Sequence, residues 1–415
     1  MYPIEAKHLP SLRARHRWSG IGPNVFLLGM TSMVTDISSE MVTAVLPIYL
    51  AFALGLTPLQ LGLIDGLTHA AAAAVRLGGG WLADRWRRHR ELAAFGYALS
   101  AVCKLGLLAA GQAWIALAAV LALDRVGKAV RTSPRDALVS LSCEPRHVGL
   151  AFGIHRALDT AGALIGPLVA FAILALLPQA FDVVFATSFF VAVIGLAIIV
   201  LFVRNVADRD APSTSRRASL SAAASLLRPG RFRNCLLGGF ALGLVTVPDA
   251  FFYLVLQRRT DLDLHFFPLL YTATALGYLL LAVPAGRLGD RIGRGRVYLL
   301  GHGFLLAACL ALFGLQSGTA AAATALLLLG AYYACTDGVL MAAASALVPA
   351  PLRATGLAVM TTATALARVA ASLCFGLLWT RWGIEVAIGV FMLGLTAVML
   401  ASSMFWLSLE SDPAR

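Results

Sequence analysis

Gly80-Trp-Leu-Ala-Asp84-Arg85-Trp-Arg-Arg88-His-Arg90 returns 206 residues later as Gly286-Arg-Leu-Gly-Asp290-Arg291-Ile-Gly293-Arg294-Gly-Arg296. A second pair, Arg146-His-Val-Gly149 and Arg353-Ala-Thr-Gly356, repeats at 207. Two independent matches at nearly one offset imply a duplicated chain. Each copy follows a long apolar run, and each Arg-x-x-Gly opens another, so the repeated unit is a bundle of apolar segments joined by short charged loops.

Working outward, composition fixes the solvent of those segments. Of 415 residues, 59% are hydrophobic and only 13% charged, and mean hydropathy is +0.81; soluble domains carry about a quarter charged residues. Apolar runs of the roughly 20 residues that cross a bilayer recur along the chain, giving about twelve spans. In lipid every backbone N–H and C=O must be satisfied within its own segment, and Ala/Leu/Gly-rich runs do not alternate like barrel strands. The fold class is an all-α membrane protein of two six-helix halves. Residues 206–234, polar, basic and rich in Ser and Pro, read as the linker between a bundle at 21–205 and another at 235–408. Residues 1–20 and 409–415 read as tails.

The net charge of +12 raises the question of a nucleic-acid partner, and the placement of the charges answers it. Alternate loops hold 25 of the 33 basic residues, among them Arg85 to Arg90, a Lys128, Arg131 and Arg135 cluster, and Arg287 to Arg296. The opposite loops hold Arg258, Arg259 and Arg381. This asymmetry orients a chain in a membrane with its basic loops and both termini in the cytoplasm. It predicts a lipid bilayer as partner and no nucleic acid. The first apolar run begins near Ile21 and continues past Leu54, longer than a signal-peptide core, so it reads as a retained helix.

Gly286 to Arg296 fits, at every position, the loop G-x-L-x-D-R-x-G-R-x-R of the major facilitator superfamily, which the chain resembles over its whole length. The copy at Gly80, Asp84 and Arg85 departs from it where Arg87 replaces the second glycine. Gly162-Ala-Leu-Ile-Gly166-Pro167 is similar to the span-5 motif of antiporters and exporters, and Leu121 to Lys128 to the span-4 arginine motif. Asp124 to Lys128 and Arg131 to Asp136 further resemble a bacterial efflux-permease-like branch. The resemblance implies a secondary transporter of the bacterial inner membrane with a central cavity lined by spans 1, 4, 7 and 10. It places Asp36, Glu40, Asp124, Arg125, Asp249 and Asp337 near a small-molecule substrate, with Arg156 and Asp159 of span 5 beside them.

Chemistry gives the same residues independent weight, because an ionised side chain at mid-membrane costs about 2.5–3.5 kcal/mol on insertion scales. Asp36 and Glu40 lie one turn apart, and two acids so placed repel when both are ionised, which favours one carrying a proton. They suit proton coupling. Asp124, Arg125, Arg156 and Asp159 suit either a substrate site or a static salt-bridge network. Lys104 and Asp65 are expected toward the outer half, where long side chains reach the interface. Gly162 and Gly166 share a helix face, compatible with ordinary close packing or with an export-specific role.

No Gly-Lys-Ser/Thr phosphate loop and no paired Cys or His site occurs in the sequence, so neither an ATP-driven pump nor an enzyme is expected. No cofactor is expected beyond a proton gradient, and a monomer suffices. Proton-coupled efflux is the leading expectation. A facilitator or proton symporter of a small polar solute, or a non-transporting sensor, are the alternatives.

In the repeated loops, Asp84 and Asp290 are placed to cap the N-termini of spans 11 and 5. A carboxylate there contributes about 0.3–2 kcal/mol and would latch the cytoplasmic side, with Gly80, Arg85, Gly286, Arg291, Gly293 and Arg294 shaping the turns. Asp84→Asn and Asp290→Asn should therefore insert normally, transport more slowly, and label more readily from the cytoplasm. Wild-type transport in both would reduce the loops to topology signals.

Overall fold

The computed structural model describes residues 22–86, 89–144, 147–205, 230–314, 319–349 and 352–408; side-chain surroundings are described for these except 76–86, 314, 319, 353–354 and 408. Helices account for the regular structure, with no strand among the described residues. The first half comprises α1 (Pro23–Ile48, running into a π turn at Tyr49–Ala53), α2 (Pro58–Trp86), α3 (His89–Ala110), α4 (Trp114–Leu141), α5 (Val148–Leu176) and α6 (Phe181–Leu201). The second comprises α7 (Arg231–Leu244), α8 (Asp249–Thr260), α9 (Phe267–Ile292), α10 (Arg294–Gly314), α11 (Thr319–Thr336), α12 (Val339–Ala346), α13 (Arg353–Trp382) and α14 (Ile384–Ser408).

The second half has eight helices because two of its spans are broken. α7 and α8 together cross once, over Arg231–Thr260, and α11 with α12 cross once, over Ala320–Ala346. The first break has a covalent cause: Pro248 has no N–H to donate and sits extended at ψ 144°, capping α8. The second turns on Gly338 at φ +75°, a left-handed conformation that side chains resist. Among the described residues, ten spans are long and apolar enough by length and composition to cross a bilayer. α2 and α4 match them in length, at 29 and 28 residues, and pack against each other among them. α4 is the least apolar of the first half because Asp124, Arg125, Lys128, Arg131, Arg135 and Asp136 all lie within it.

α1 packs on α5 and α6, α3 on α4 and α6, α9 on α11, and α10 on α11 and α14. The halves meet chiefly through α2 against α13 and α5 against α9. Where α2 begins, Thr57 and Gln60 form a capping box around Pro58: the Thr57 N–H donates to Gln60 Oε1 at 2.9 Å and the Gln60 N–H to Thr57 Oγ1 at 3.3 Å. This turn clamps onto the end of α13. The Leu59 N–H donates to Thr380 Oγ1 at 2.9 Å. A Cβ on Gly62 would stand 2.3 Å from the Ser372 carbonyl oxygen, and one on Gly376 2.5 Å from that of Pro58. Phe171 stacks on Phe266 at 5.7 Å, and Arg258 reaches the Phe52 ring at 5.9 Å, both across the halves at this same end.

At the arginine-rich end the picture reverses. Among the described residues, Gly149, Gly153 and Gly286 have no neighbour where a Cβ would stand, and the Asp290 side chain is 71% exposed. The bundle is clamped at the end remote from the basic loops, and among the described residues the basic end stands open. Gly62→Leu should force that clamp apart. A disulfide engineered between Cys substitutions at Leu59 and Thr380 should form readily in the parent chain and several-fold less in the Gly62→Leu background; equal cross-linking would show that α2 and α13 are not held by this contact.

Candidate functional site

The charges of the first half assemble by helix periodicity. Ser32, Asp36 and Glu40 fall one turn apart on α1; Lys128, Arg131 and Arg135 fall one turn apart on antiparallel α4. They zip together in order. Arg135 Nη1 donates to Ser32 Oγ at 3.1 Å, Arg131 Nη2 lies 3.6 Å from Asp36 Oδ1, and Lys128 Nζ lies 3.9 Å from Glu40 Oε1. Arg131 is 2% exposed and rests over the Tyr97 ring at 4.5 Å, a cation–π contact that shields its other face. α5 joins through Asp159, which accepts from Ser32 Oγ at 2.6 Å and stands 3.9 Å from Arg135 and 3.6 Å from Arg156. The Asp36 and Asp159 carboxyls face each other across α1 and α5.

Several sequence expectations are corrected here. Lys128, Arg131 and Arg135 are not loop residues, because α4 continues to Leu141 and carries them inside the bundle. Asp36 has Asp159 beside it as well as Glu40 one turn on, and Lys128 acts on both Asp36 and Glu40. Arg156 touches Asp159 but is itself largely exposed. Lys104 does not reach toward the interface: it is 2% exposed and donates to Asp124 Oδ1 at 2.6 Å, with Ser100 bonded to the same oxygen. Asp124 is thereby tied to α3. Arg125 makes no ion pair among the described residues.

Span 5 shows why its glycines stand four apart. A Cβ on Gly162 would lie 2.3 Å from the Met33 carbonyl oxygen and one on Gly166 2.7 Å from that of Ile37. Both carbonyls belong to the turn of α1 that carries Asp36. Pro167 follows within α5. The glycine face is what brings Asp159 against Asp36.

A cavity opens between the halves, lined by Asp65, His69, Thr246, Val247, Pro248, Asp249, Tyr332, Tyr333, Arg368, Ala371 and Ser372. Asp65, expected near the outer interface, lies here instead: α2 turns it onto α13, where Ser372 Oγ donates to it and His69 Nε2 stands 3.8 Å away. Asp249 is the first residue of α8, where the helix N-terminus favours a carboxylate, and the Tyr333 hydroxyl donates to it. Asp337 is exposed beside the second break. Sequence marked Arg368 and the tyrosines only one by one, and His69 and Ser372 not at all, since residues on α2, α11 and α13 share no spacing. The zipper did leave a signal, the matched i, i+4, i+8 and i, i+3, i+7 stripes on α1 and α4.

In the repeated loop, Gly293 takes φ +104° and ends α9, as the motif requires of glycine. Asp290 is 3.5 Å from Arg294, which also donates to the Ala342 carbonyl of α12 at 3.2 Å. Among the described residues, no bond joins Asp290 to the start of α5. The side chains of Asp84 and Arg85, and the surroundings of Gly80, lie outside the described residues.

A two-half bundle clamped at one end and open at the other around a charged cavity is the anatomy of a secondary transporter. The family model described as Major Facilitator Superfamily matches residues 28–266 and 250–415, and the chain belongs to that family. An uncharacterized MFS-type transporter of Methanocaldococcus jannaschii is 30% identical over 373 residues, spanning 86% of this chain and 89% of the relative. Among solved structures, the nucleoside transporter NupG superposes with a TM-score of 0.79 at 13% identity, covering 92% of this chain and 99% of that one. A POT family transporter in complex with 5-aminolevulinic acid gives 0.78 at 14% identity, covering 94% and 97%. At these identities the solved structures attest the fold alone. The chain is a multi-pass membrane transporter and not an enzyme.

Removing one member of a buried ion pair costs about 3–5 kcal/mol, whereas replacing both with apolar groups is often neutral. Lys104→Met should lower the melting temperature in detergent sharply, and Lys104→Met/Asp124→Leu should recover most of the loss. A single variant as stable as the parent would mean the pair does not hold α3 to α4.

Proposed function

We propose that this chain exports a small molecule across the bacterial inner membrane in exchange for protons, with its basic loops and both termini in the cytoplasm. The observation that carries the proposal is the position of Asp36: buried in α1, facing Arg131 on α4 and Asp159 on α5, at the turn onto which the Gly162/Gly166 face packs.

An ionised carboxylate at this depth is stable only beside its cation, and a protonated one needs none. Adding a proton to Asp36 removes its charge attraction for Arg131. Arg131 then turns to the remaining acids, and the α1–α4 contact loosens without leaving a bare anion. Withdrawing the proton restores the pair. Protonation and helix packing are thereby linked, and the link runs through α5, the span whose motif resembles that of exporters. Glu40 and Lys128, nearer solvent, adjust the field around this pair. Topology follows from the distribution of arginines, which makes the open end cytoplasmic and the clamped end external. The intact Asp290 loop and the Gly-Gly-Pro face of α5 favour a cycling transporter over a sensor.

The test uses proteoliposomes loaded with a substrate found by an efflux panel in cells lacking their main exporters. Asp36→Asn, fixed in the neutral form, should abolish transport driven by a pH gradient while substrate exchange without a gradient persists. Glu40→Gln should be milder. Concentrative, pH-dependent transport by Asp36→Asn would remove Asp36 as the proton carrier and pass that role to Asp159, Asp249 or Asp337.

A further inference from the structure

The cavity between the halves holds opposite charges that do not meet. Arg368 on α13 lines it, exposed to its interior, and makes neither hydrogen bond nor ion pair among the described residues. Asp249 and Asp337 both act on Arg368 electrostatically, yet neither comes within the 4.0 Å of an ion pair. Asp65 is already engaged by Ser372 and His69. Asp249 has the Tyr333 hydroxyl as its partner and no cation of its own.

Asp249 is fixed at the break after Pro248, on the N-terminus of α8, and Arg368 is carried by the continuous helix α13. In the open state water solvates both charges. When the basic end closes, that water leaves, and a charge left uncompensated in a dry interior is strongly unfavourable. An anionic occupant would neutralise Arg368 and leave Asp249 without a cation. A cationic one would do the reverse. A molecule bearing both signs satisfies both at once, through its own charge-assisted hydrogen bonds.

We propose that this cavity binds a small zwitterion, its carboxylate on Arg368 and its ammonium on Asp249, with the intervening body against the rings of Tyr332 and Tyr333. The proposal deepens the transport reading above and rests on this cavity being the transported molecule's site. Arg368 and Asp249 set the class of substrate; Asp36 and its partners, in the other half, set the coupling.

Binding to the purified full-length protein in detergent tests it without any gradient. The probes are 4-aminobutanoate, 5-aminopentanoate, 6-aminohexanoate and phenylalanine, each beside its N-acetyl derivative, an anion, and its methyl ester, a cation. By titration calorimetry at least one zwitterion should bind ten-fold or more tightly than both of its singly charged derivatives. Arg368→Gln should erase the preference over the ester and keep that over the N-acetyl compound; Asp249→Asn should do the opposite. This crossed pattern is not produced by a merely unfolded variant. Equal binding of a derivative and its parent, no binding by any zwitterion of the set, or discrimination unchanged in both variants would overturn the proposal. Zwitterion binding without pH-driven transport would instead overturn the proton-exchange reading and leave this one standing.

Discussion

A charge inside a bilayer needs an opposite charge within reach, and this constraint organises the bundle. Moving an ion from water into protein interior is costly enough that a lone one neutralises or drags in water. In the first half the buried charges find complements on neighbouring helices: Arg131 with Asp36, Lys104 with Asp124, Arg135 with Asp159. These contacts specify the register of α1, α3, α4 and α5. Van der Waals packing of Ala and Leu surfaces alone discriminates poorly between registers, because lipid chains pack against such faces nearly as well.

The second half relaxes the same constraint in one place. Its two inner spans are broken, at Pro248 and Gly338, where the first half has the unbroken α1 and α4. Irregular backbone at membrane depth is tolerated only where it is buried in protein or lines a wet cavity, and here the break at Pro248 lines one. The duplicated halves have thus diverged in kind. One holds its charges paired within helix contacts, which suits a reversible change of packing. The other holds them apart around a space, which suits a guest.

Close approach of glycines sets the geometry in which both arrangements operate. The Gly162/Gly166 face brings α5 onto the backbone of α1, and Gly62 with Gly376 brings α2 onto α13. The first contact lies within a half and keeps the acid pair together. The second lies between halves, at the end where the molecule is shut, and has no counterpart at the basic end among the described residues. Its hydrogen bonds, from Leu59 to Thr380 and from Ser372 to Asp65, cross the divide beside the cavity. Rocking of the halves must break this seam first.

The sequence by itself determined the helical class and the duplication, and it concentrated the arginines in alternate loops. Each follows from a local or linear property: apolar run length, offset between repeats, and charge density in loops. It also marked Asp36, Asp159 and Asp249 as costly where they stand. Tertiary structure decided their partners. Lys128, Arg131 and Arg135 look like loop charges until α4 is seen to extend over them, and Asp65 and Lys104 look peripheral until α13 and Asp124 are set beside them. Arg368 acquires meaning only from what does not reach it. Which side chain faces which across 100 or 300 residues depends on the rotation and depth of each packed helix, and no spacing along one strand of sequence encodes that.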